Sequence, residues 1–215
     1  MLRKFALLGV KSARDPAMWR VIHMKTTFGP NGPAWKLCTH AVDGSQDQLV
    51  DISIVYFAND ELLQYVAHRS SQLKWLEFVS RYRGLPWNWT QALRKFPMLQ
   101  ELNLYKIKIS EEAIETAGHC CPMLKTVKVN QESCKFFHGG TDEKSLMFRN
   151  GTAKAIGENL HELRHLELIG NNMTNIGLQA ILDGCCHLES LDLRQCLYID
   201  LKGDMGKNVQ KMLNV

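Results

Sequence analysis

A pattern of hydrophobic positions recurs six times along this chain of 215 residues. In each copy a leucine is followed, three and five positions later, by an apolar residue. Successive leading leucines are 24, 26, 25, 39 and 25 residues apart. Six matches in phase at a nearly constant spacing are not expected by chance, so they indicate a repeating structural unit. The six copies are Leu49-Ile52-Ile54, Leu73-Leu76-Phe78, Leu99-Leu102-Leu104, Leu124-Val127-Val129, Leu163-Leu166-Leu168 and Leu188-Leu191-Leu193.

The spacing within each copy predicts a β-strand. Side chains alternate between the two faces of a strand, so the second and third apolar residues point the same way. One strand cannot bury this apolar side alone, whereas stacked copies form a parallel sheet with a continuous core. Four of the five spacings fall in the range of roughly 20–29 residues that is typical of leucine-rich repeats. The pattern therefore predicts an α/β fold, a leucine-rich-repeat solenoid in which a curved parallel β-sheet carries helices on its convex side.

The connections between the predicted strands read as helices. Small or apolar residues occur ten, seven and six positions before the second to sixth leading leucines, and these offsets place each trio on one helical face. Residues that can cap a helix start precede several trios, at Asn59, Ser110 and Thr174, while Pro122 and Gly184 follow two of them. The trios are Leu63, Val66, Ala67; Trp89, Ala92, Leu93; Ile114, Ala117, Gly118; Ala153, Ile156, Gly157; and Leu178, Ile181, Leu182.

Four segments lie outside this regular pattern. The long fourth spacing holds about 14 extra residues, and we expect 132–145 to form a loop at one edge of the sheet, either a binding element or a tolerated surface loop. Residues 35–43 predict a helix that caps the first strand. We expect residues 200–215 to form a loop followed by a terminal helix. The apolar run within 1–14 is shorter than that of a signal peptide, so we expect a short helix there.

Composition and charge exclude several classes of partner. The chain is 45% hydrophobic and 22% charged, as in ordinary soluble proteins. The net charge of +4 is scattered, so we expect no nucleic-acid partner. No apolar stretch approaches the roughly 18 residues that a membrane span needs, so we expect no membrane association. Most of the seven cysteines lie within the repeats and read as small buried residues in a reducing compartment, which predicts the cytoplasm, the nucleus or both. We therefore expect the glycosylation sequons at Asn88, Asn150 and Asn172 to be unused.

One five-residue stretch, 161–165, matches the HExxH motif of zinc proteases. That motif needs two histidines four positions apart on one face of a helix. Here Leu163 is a leading leucine and His165 lies where a strand begins. Strand geometry would separate His161 from His165, so we predict no metal site at this motif.

Other candidate chemistry is weaker still. Cys120, Cys121, Cys134 and His138 are too scattered to supply the closely spaced pairs of a structural zinc site. The sequence has no nucleophile elbow, phosphate-binding loop or dinucleotide fingerprint. We predict that the chain is not an enzyme and that it has no catalytic, cofactor-binding or metal-ligating residues.

The strongest candidate site is the open face of the predicted sheet, which is the face turned away from the helices. Positions two, four and six after each leading leucine lie on it. Aromatic anchors surrounded by charges are typical of protein-binding hot spots, and solenoids bind partners on this face. The alternative is a solvated sheet face. The predicted partner-binding residues are Trp75, Glu77, Glu101, Asn103, Tyr105, Lys128, His165, Glu167, Asp192 and Arg194.

A resemblance to a known family adds to this interpretation. Asp15-Pro16 followed by Trp19 resembles the end of an F-box, where an Asp-Pro-x-x-Trp segment leads into repeats. Segments 40–43, 48–52, 177–184 and 187–196 are similar to plant F-box/leucine-rich-repeat proteins of the Skp-interacting-partner type. The resemblance extends from Asp15 to about Gly206. It divides the chain into the end of an F-box (1–24), a linker with a capping helix (25–47), about six repeats (48–199) and a C-terminal tail (200–215).

The resemblance implies a function. The chain would be the substrate-recognition subunit of an SCF-type E3 ubiquitin ligase, in which the repeats hold a target protein and the F-box binds a Skp-family adaptor and a cullin scaffold. Only the tail of an F-box, with Asp15, Pro16 and Trp19, is recognisable, and 1–14 do not supply its opening Leu-Pro-x-Glu-type helix. The alternative is therefore a non-ligase interaction scaffold, or a decoy that binds the target without the adaptor.

Overall fold

Seven parallel strands form one sheet in the computed structural model of the protein, in the order in which they occur along the chain. The structure describes residues 15–26, 32–82, 85–131 and 142–213. The strands of the described residues are β1 (Val21–Lys25), β2 (Asp51–Val55), β3 (Trp75–Val79), β4 (Glu101–Tyr105), β5 (Thr126–Asn130), β6 (His165–Glu167) and β7 (Ser190–Asp192).

A helix connects each strand to the next, as parallel pairing requires. Consecutive helices contact one another along the side of the sheet that holds the core. A short 3₁₀ helix (Pro16–Trp19) precedes β1. The α-helices are α1 (Pro33–Gly44), α2 (Asp60–Ala67), α3 (Trp89–Leu93), α4 (Glu111–Cys120), α5 (Glu143–Asn159), α6 (Asn175–Gly184) and α7 (Asp204–Leu213).

The repeated apolar positions stack in register and form the core. The middle residue of each copy pairs with its equivalent on the next strand, so that Ile52, Leu76, Leu102, Val127, Leu166 and Leu191 form one continuous row. All of these except Leu191, which is half-buried, are at most 2% exposed. This stacking confirms the predicted leucine-rich-repeat solenoid. Burial of the repeated apolar layers stabilises the packing of neighbouring repeats.

The predicted helical faces also pack as expected. All residues of the five trios are buried except Gly118 and Leu182, which are half-buried. Side chains cap the helices where the sequence predicted: Asn59 Oδ1 accepts from the Leu62 N–H at 2.9 Å, and Ser110 Oγ accepts from the Ala113 N–H at 3.2 Å. These bonds satisfy backbone donors that a helix start otherwise leaves unpaired.

The repeat domain begins earlier than the sequence pattern predicted. The sheet extends to the N-terminal side of the predicted repeat boundary at residue 48, because β1 pairs in parallel with β2 over their full lengths. By register, Trp19, Ile22 and Met24 occupy the positions of Leu49 and its two apolar partners. A tryptophan replaces the leading leucine and lies 30 residues before Leu49, outside the usual spacing, so the leucine pattern does not predict this repeat. The helix predicted at 35–43 is α1, which connects β1 to β2 and does not end the solenoid.

The predicted insertion is partly helical. Residues 132–141 lie outside the described residues, whereas 143–145 form the first turn of α5. At 17 residues, α5 is the longest of the described helices. The terminal helix predicted within 200–215 is confirmed as α7. The segment 1–14 lies outside the described residues.

Several cysteines pack between repeats, as predicted. Cys121 and Cys185 each lie three residues before a leading leucine, and each thiol is 3.5 Å from a backbone carbonyl oxygen of the preceding repeat, that of Leu93 or Leu160. Burial raises the pKa of both thiols to about 12. Cys186 is exposed, so the expectation of burial does not hold at that position.

Candidate protein-binding surface

Three rows of side chains cross the open face. Neighbouring strands in a sheet lie about 4.8 Å apart, so residues paired in register contact one another. The first row is Val21, Asp51, Trp75, Glu101, Thr126, His165 and Ser190. The second row is His23, Ser53, Glu77, Asn103, Lys128, Glu167 and Asp192. The third row is Lys25, Val55, Val79, Tyr105 and Asn130.

The ten residues predicted to bind a partner all belong to this face. Nine lie within the strands, and Arg194 follows β7 by two residues and contacts Asp192. Tyr105 is 40% exposed and offers a large apolar surface to solvent. Asn103 is only 8% exposed, because side chains of the neighbouring strands surround it. Contact with a partner remains a prediction for all ten.

Glu101 lies at the centre of a hydrogen-bonded cluster. Its Oε1 atom accepts from Asn103 Nδ2 at 2.9 Å and from the Lys128 ammonium at 3.0 Å. The Trp75 side chain also donates to it. Partial burial raises the pKa of Glu101, but the three hydrogen bonds and the positive charge of Lys128 together outweigh burial and lower it. Glu101 is therefore ionised at neutral pH, and its carboxylate accepts the hydrogen bond that restrains the Trp75 ring.

Further hydrogen-bonded pairs flank this central cluster. At one end of the sheet, His23 Nε2 lies 2.9 Å from Asp51 Oδ1. At the other end, the Arg194 guanidinium bonds Asp192 at 2.7–3.0 Å. These hydrogen bonds lower the pKa of Asp192. Because partners from the chain orient most of its polar groups, the face presents a defined pattern of charge.

The HExxH stretch does not form a helical metal motif. His161 lies in a turn, with Nδ1 3.0 Å from the Gly184 carbonyl oxygen. His165 begins β6, and its Nδ1 lies 2.9 Å from Ser190 Oγ. The predicted strand geometry is confirmed. Among the described residues no group of three or more histidine, cysteine or acidic side chains is arranged to hold a metal ion, and Cys134 and His138 lie outside them.

The three residues that resemble an F-box tail have structural roles in the first repeat. Asp15 Oδ1 accepts from the Ala17 N–H at 3.0 Å and caps the 3₁₀ helix, whose first residue is Pro16. The Trp19 indole packs so closely on Gly44 that a Cβ atom there would lie 2.9 Å from the ring. The segment therefore joins the repeat domain. The leucine spacing does not predict β1, so it does not place His23 on the open face. The apolar spacing of Trp19, Ile22 and Met24 is the signal in the sequence that indicates this strand.

Comparison with known proteins gives the family. No protein-family model matches the chain. It is 42% identical to F-box/LRR-repeat protein 23 of Arabidopsis thaliana over 90% of its own length and 42% of the relative. It is 39% identical to the Arabidopsis F-box protein SKIP19, over 94% of its own length and 64% of the relative. It is 38% identical to Arabidopsis F-box/LRR-repeat protein 9, over 90% of its own length and 77% of the relative.

The chain thus spans less than two thirds of the length of F-box/LRR-repeat protein 23 and of SKIP19. None of the helices in the described residues has the length and hydrophobicity of a membrane span. The similarity to F-box/LRR-repeat protein 9 covers most of both proteins, and the fold consists of stacked leucine-rich repeats. The chain therefore belongs to the F-box/leucine-rich-repeat family of plant proteins.

Proposed function

We propose that the chain is the target-recognition part of an SCF-type E3 ubiquitin ligase and holds a target protein on the open face for ubiquitination. Its similarity to F-box/LRR-repeat proteins over about nine tenths of its length carries this proposal. The chemistry would belong to other subunits. A target held beside the conjugating enzyme has a high effective concentration, so binding alone accelerates transfer.

The open face is the docking surface in this proposal. Trp75 and Tyr105 lie on neighbouring strands, and aromatic residues of this kind often contribute much of the energy of a protein interface. The hydrogen bonds around Glu101 restrain the polar groups beside them before a partner arrives. Less conformational entropy is therefore lost when a target binds.

Contact with a Skp-family adaptor and a cullin scaffold is the second part of the proposal. The relatives are named F-box proteins, and one of them carries the SKIP name. The adaptor would bind an F-box and leave the open face of the repeats for the target. We place this assembly in the cytoplasm or the nucleus, where reduced cysteines persist.

Two measurements test the proposal. The first is a pull-down of a purified Skp-family adaptor by the chain. The second is proximity labelling in plant cells by the chain fused to a biotin ligase. We expect the adaptor to bind, and we expect labelled targets to be lost in a Trp75→Ala, Tyr105→Ala double variant. Glu115→Gln, on the exposed side of α4, is the matched control and should leave labelling unchanged.

The outcomes separate the ligase from its alternative. Target labelling that depends on the open face, with no adaptor bound, supports an interaction scaffold or decoy. Equal labelling by the wild type and the double variant shows that the target docks elsewhere. Ubiquitin conjugates on the labelled target that require the adaptor support the ligase.

A further inference from the structure

One carboxylate on the open face lacks the nitrogen partner that the others have. Asp51 is bonded by His23, Glu101 by Asn103, Lys128 and Trp75, Glu167 by Asn130, and Asp192 by Arg194. Among the described residues Glu77 accepts only the hydroxyl of Ser53, on its Oε2 atom. Its Oε1 atom has no hydrogen-bond partner from this part of the chain.

The residue beside Glu77 has a buried oxygen atom without a hydrogen-bond donor. Asn103 is the register partner of Glu77 on β4, and its side chain is 8% exposed. Its Nδ2 atom donates to Glu101, but its Oδ1 atom is buried and has no hydrogen-bond donor within reach in the described part of the chain. Buried polar atoms almost always have a partner, so an unpartnered acceptor needs an explanation.

The two acceptors lie side by side at the centre of the face. Residues paired in register have their Cβ atoms about 5 Å apart, so one group with several N–H donors can bond both. The surroundings favour a positive charge, because Asn103 adjoins two carboxylates, Glu77 on the neighbouring strand and Glu101 two residues before it. The nearby Lys128 ammonium is already bonded to Glu101. The Trp75 ring, on the same strand as Glu77, offers a cation–π contact, whereas Lys106 Nζ already lies 5.8 Å from the centroid of the Tyr105 ring.

We propose that the target presents a cationic side chain, arginine or lysine, which donates hydrogen bonds to Glu77 Oε1 and Asn103 Oδ1. The inference rests on the proposed function, because it assumes a target on the open face. Asn103 Oδ1 is covered by neighbouring side chains, so one of them must turn aside when the target binds. Such rotations of surface side chains take only nanoseconds and do not limit binding.

A peptide selection on the wild-type chain tests the inference. Peptides from a random library are selected for binding, and their affinities are then measured by fluorescence anisotropy at physiological ionic strength. We expect a conserved arginine or lysine among the peptides that compete with one another. Replacing that arginine by citrulline, or acetylating that lysine, should weaken binding about tenfold. Comparison of the arginine peptides with the lysine peptides identifies the preferred cation.

A substitution in the protein should lower the peptide affinity to the same extent. Glu77→Gln keeps the shape of the side chain and removes its charge. It should lower the affinity for the basic peptide about tenfold but hardly change the affinity for the neutralised peptide. Glu112→Gln, an exposed residue in the first turn of α4, is the matched control and should bind both peptides as the wild type does. Equal thermal unfolding of the three proteins verifies that the substitutions leave the fold intact.

Three outcomes overturn the inference and are distinguishable. If neutralising the peptide or Glu77 changes affinity less than about twofold, while Tyr105→Ala abolishes binding, the cation site is wrong and the docking surface stands. If the selected peptides bind equally to Trp75→Ala and Tyr105→Ala variants, the proposed docking surface fails as well. A selection that recovers no peptide sensitive to an open-face substitution counts against both.

Discussion

Asn150 on α5 caps the start of α6 by accepting the backbone N–H of Thr174 at 2.9 Å on its Oδ1 atom. The same oxygen accepts from Thr174 Oγ1 at 3.2 Å and from the Gly177 N–H at 3.1 Å, while Nδ2 donates to the Leu146 carbonyl. The side chain is 1% exposed. One amide thus connects two neighbouring repeats, and in the folded chain its burial makes the Asn150 side chain inaccessible.

We predict that Asn150→Ala destabilises the protein by about 1–3 kcal/mol, because it leaves buried donors without an acceptor. Urea unfolding followed by circular dichroism measures the loss. Asn172→Ala, at a half-buried position in the next sequon, is the control and should change stability by less than about 0.5 kcal/mol. Equal stabilities of the two variants would show that the Asn150 bonds are not important.

The second prediction concerns the close packing of α5 on α6. A Cβ atom at Gly184 would lie 1.9 Å from the backbone oxygen of Gly157. Within a helix, alanine is normally more stable than glycine by about 0.5–1 kcal/mol, and Gly184 is the last residue of α6. Here we predict the opposite sign: Gly184→Ala forces the helices apart and lowers the midpoint of thermal unfolding.

Lys154→Ala, on the exposed side of α5, is the matched control and should leave the midpoint nearly unchanged. An increase of the midpoint in Gly184→Ala would contradict the packing seen between Gly157 and Gly184.

The third prediction compares equivalent core positions in the middle and at the end of the sheet. Leu102 is fully buried, whereas Leu191 on β7 is half-buried because no strand follows it among the described residues. Leu102→Ala should cost about 2–5 kcal/mol. Leu191→Ala should cost clearly less, because less apolar surface returns to water. Urea unfolding of both variants checks the order, and a larger loss at Leu191 would contradict the model of repeats stabilised by their neighbours.

The fourth prediction concerns alkaline pH. Burial raises the pKa of Cys38 and Cys121 from 9.0 to about 12. Between these values the folded protein retains thiol protons that the unfolded chain has lost, so stability is complete below about pH 9 and falls as the pH rises toward 12. At pH 10.5 each buried thiol should lower the free energy of unfolding by about 1–2 kcal/mol.

Urea unfolding at pH 8 and pH 10.5 measures this loss, and Cys121→Ala should reduce it. Asn172→Ala provides the control, because it removes no ionisable group and should leave the pH dependence unchanged. A pH dependence identical in all three proteins would contradict the prediction. At pH 8, iodoacetamide should label Cys186 well before the buried thiols.

The fifth prediction concerns the lowered pKa of Glu101. Partial burial opposes ionisation, but hydrogen bonds from Asn103, Lys128 and Trp75 outweigh it. Removing the ammonium in Lys128→Met should therefore raise the pKa of Glu101. Because a lowered pKa gives stability that is present above about pH 4.5 and lost as the pH falls, the variant should show a weaker loss of stability in acid.

Titration of the Glu101 carboxyl carbon by nuclear magnetic resonance measures the shift directly. Lys154→Met removes a charge far from the open face and should leave the titration of Glu101 unchanged. An unchanged titration in Lys128→Met would show that the ion pair of 3.0 Å does not persist in solution.

Much of the fold could be predicted because local spacing determines it. Apolar residues three and five positions after a leading leucine can share a buried layer only in a strand, and this placed β2 to β7 and the residues of the open face. The trios before each leucine likewise predicted the buried sides of the helices. These features depend on the periodicity of the backbone and need no knowledge of distant contacts.

Tertiary structure decided what spacing could not encode. Trp19 takes the leading position of a repeat, and its indole packs against Gly44 of α1. Asn150 looks like an exposed sequon until α6 places Thr174 beside it. Glu77 and Asn103 are 26 residues apart in sequence, and only the register of β3 and β4 places their two unpartnered oxygens together. The sequence alone determined the layers and the face they expose, because both follow from local periodicity. The contacts between layers depend on shape and on hydrogen bonds across the sheet, and they decided that Trp19 and β1 join the solenoid and that Glu77 lies beside Asn103.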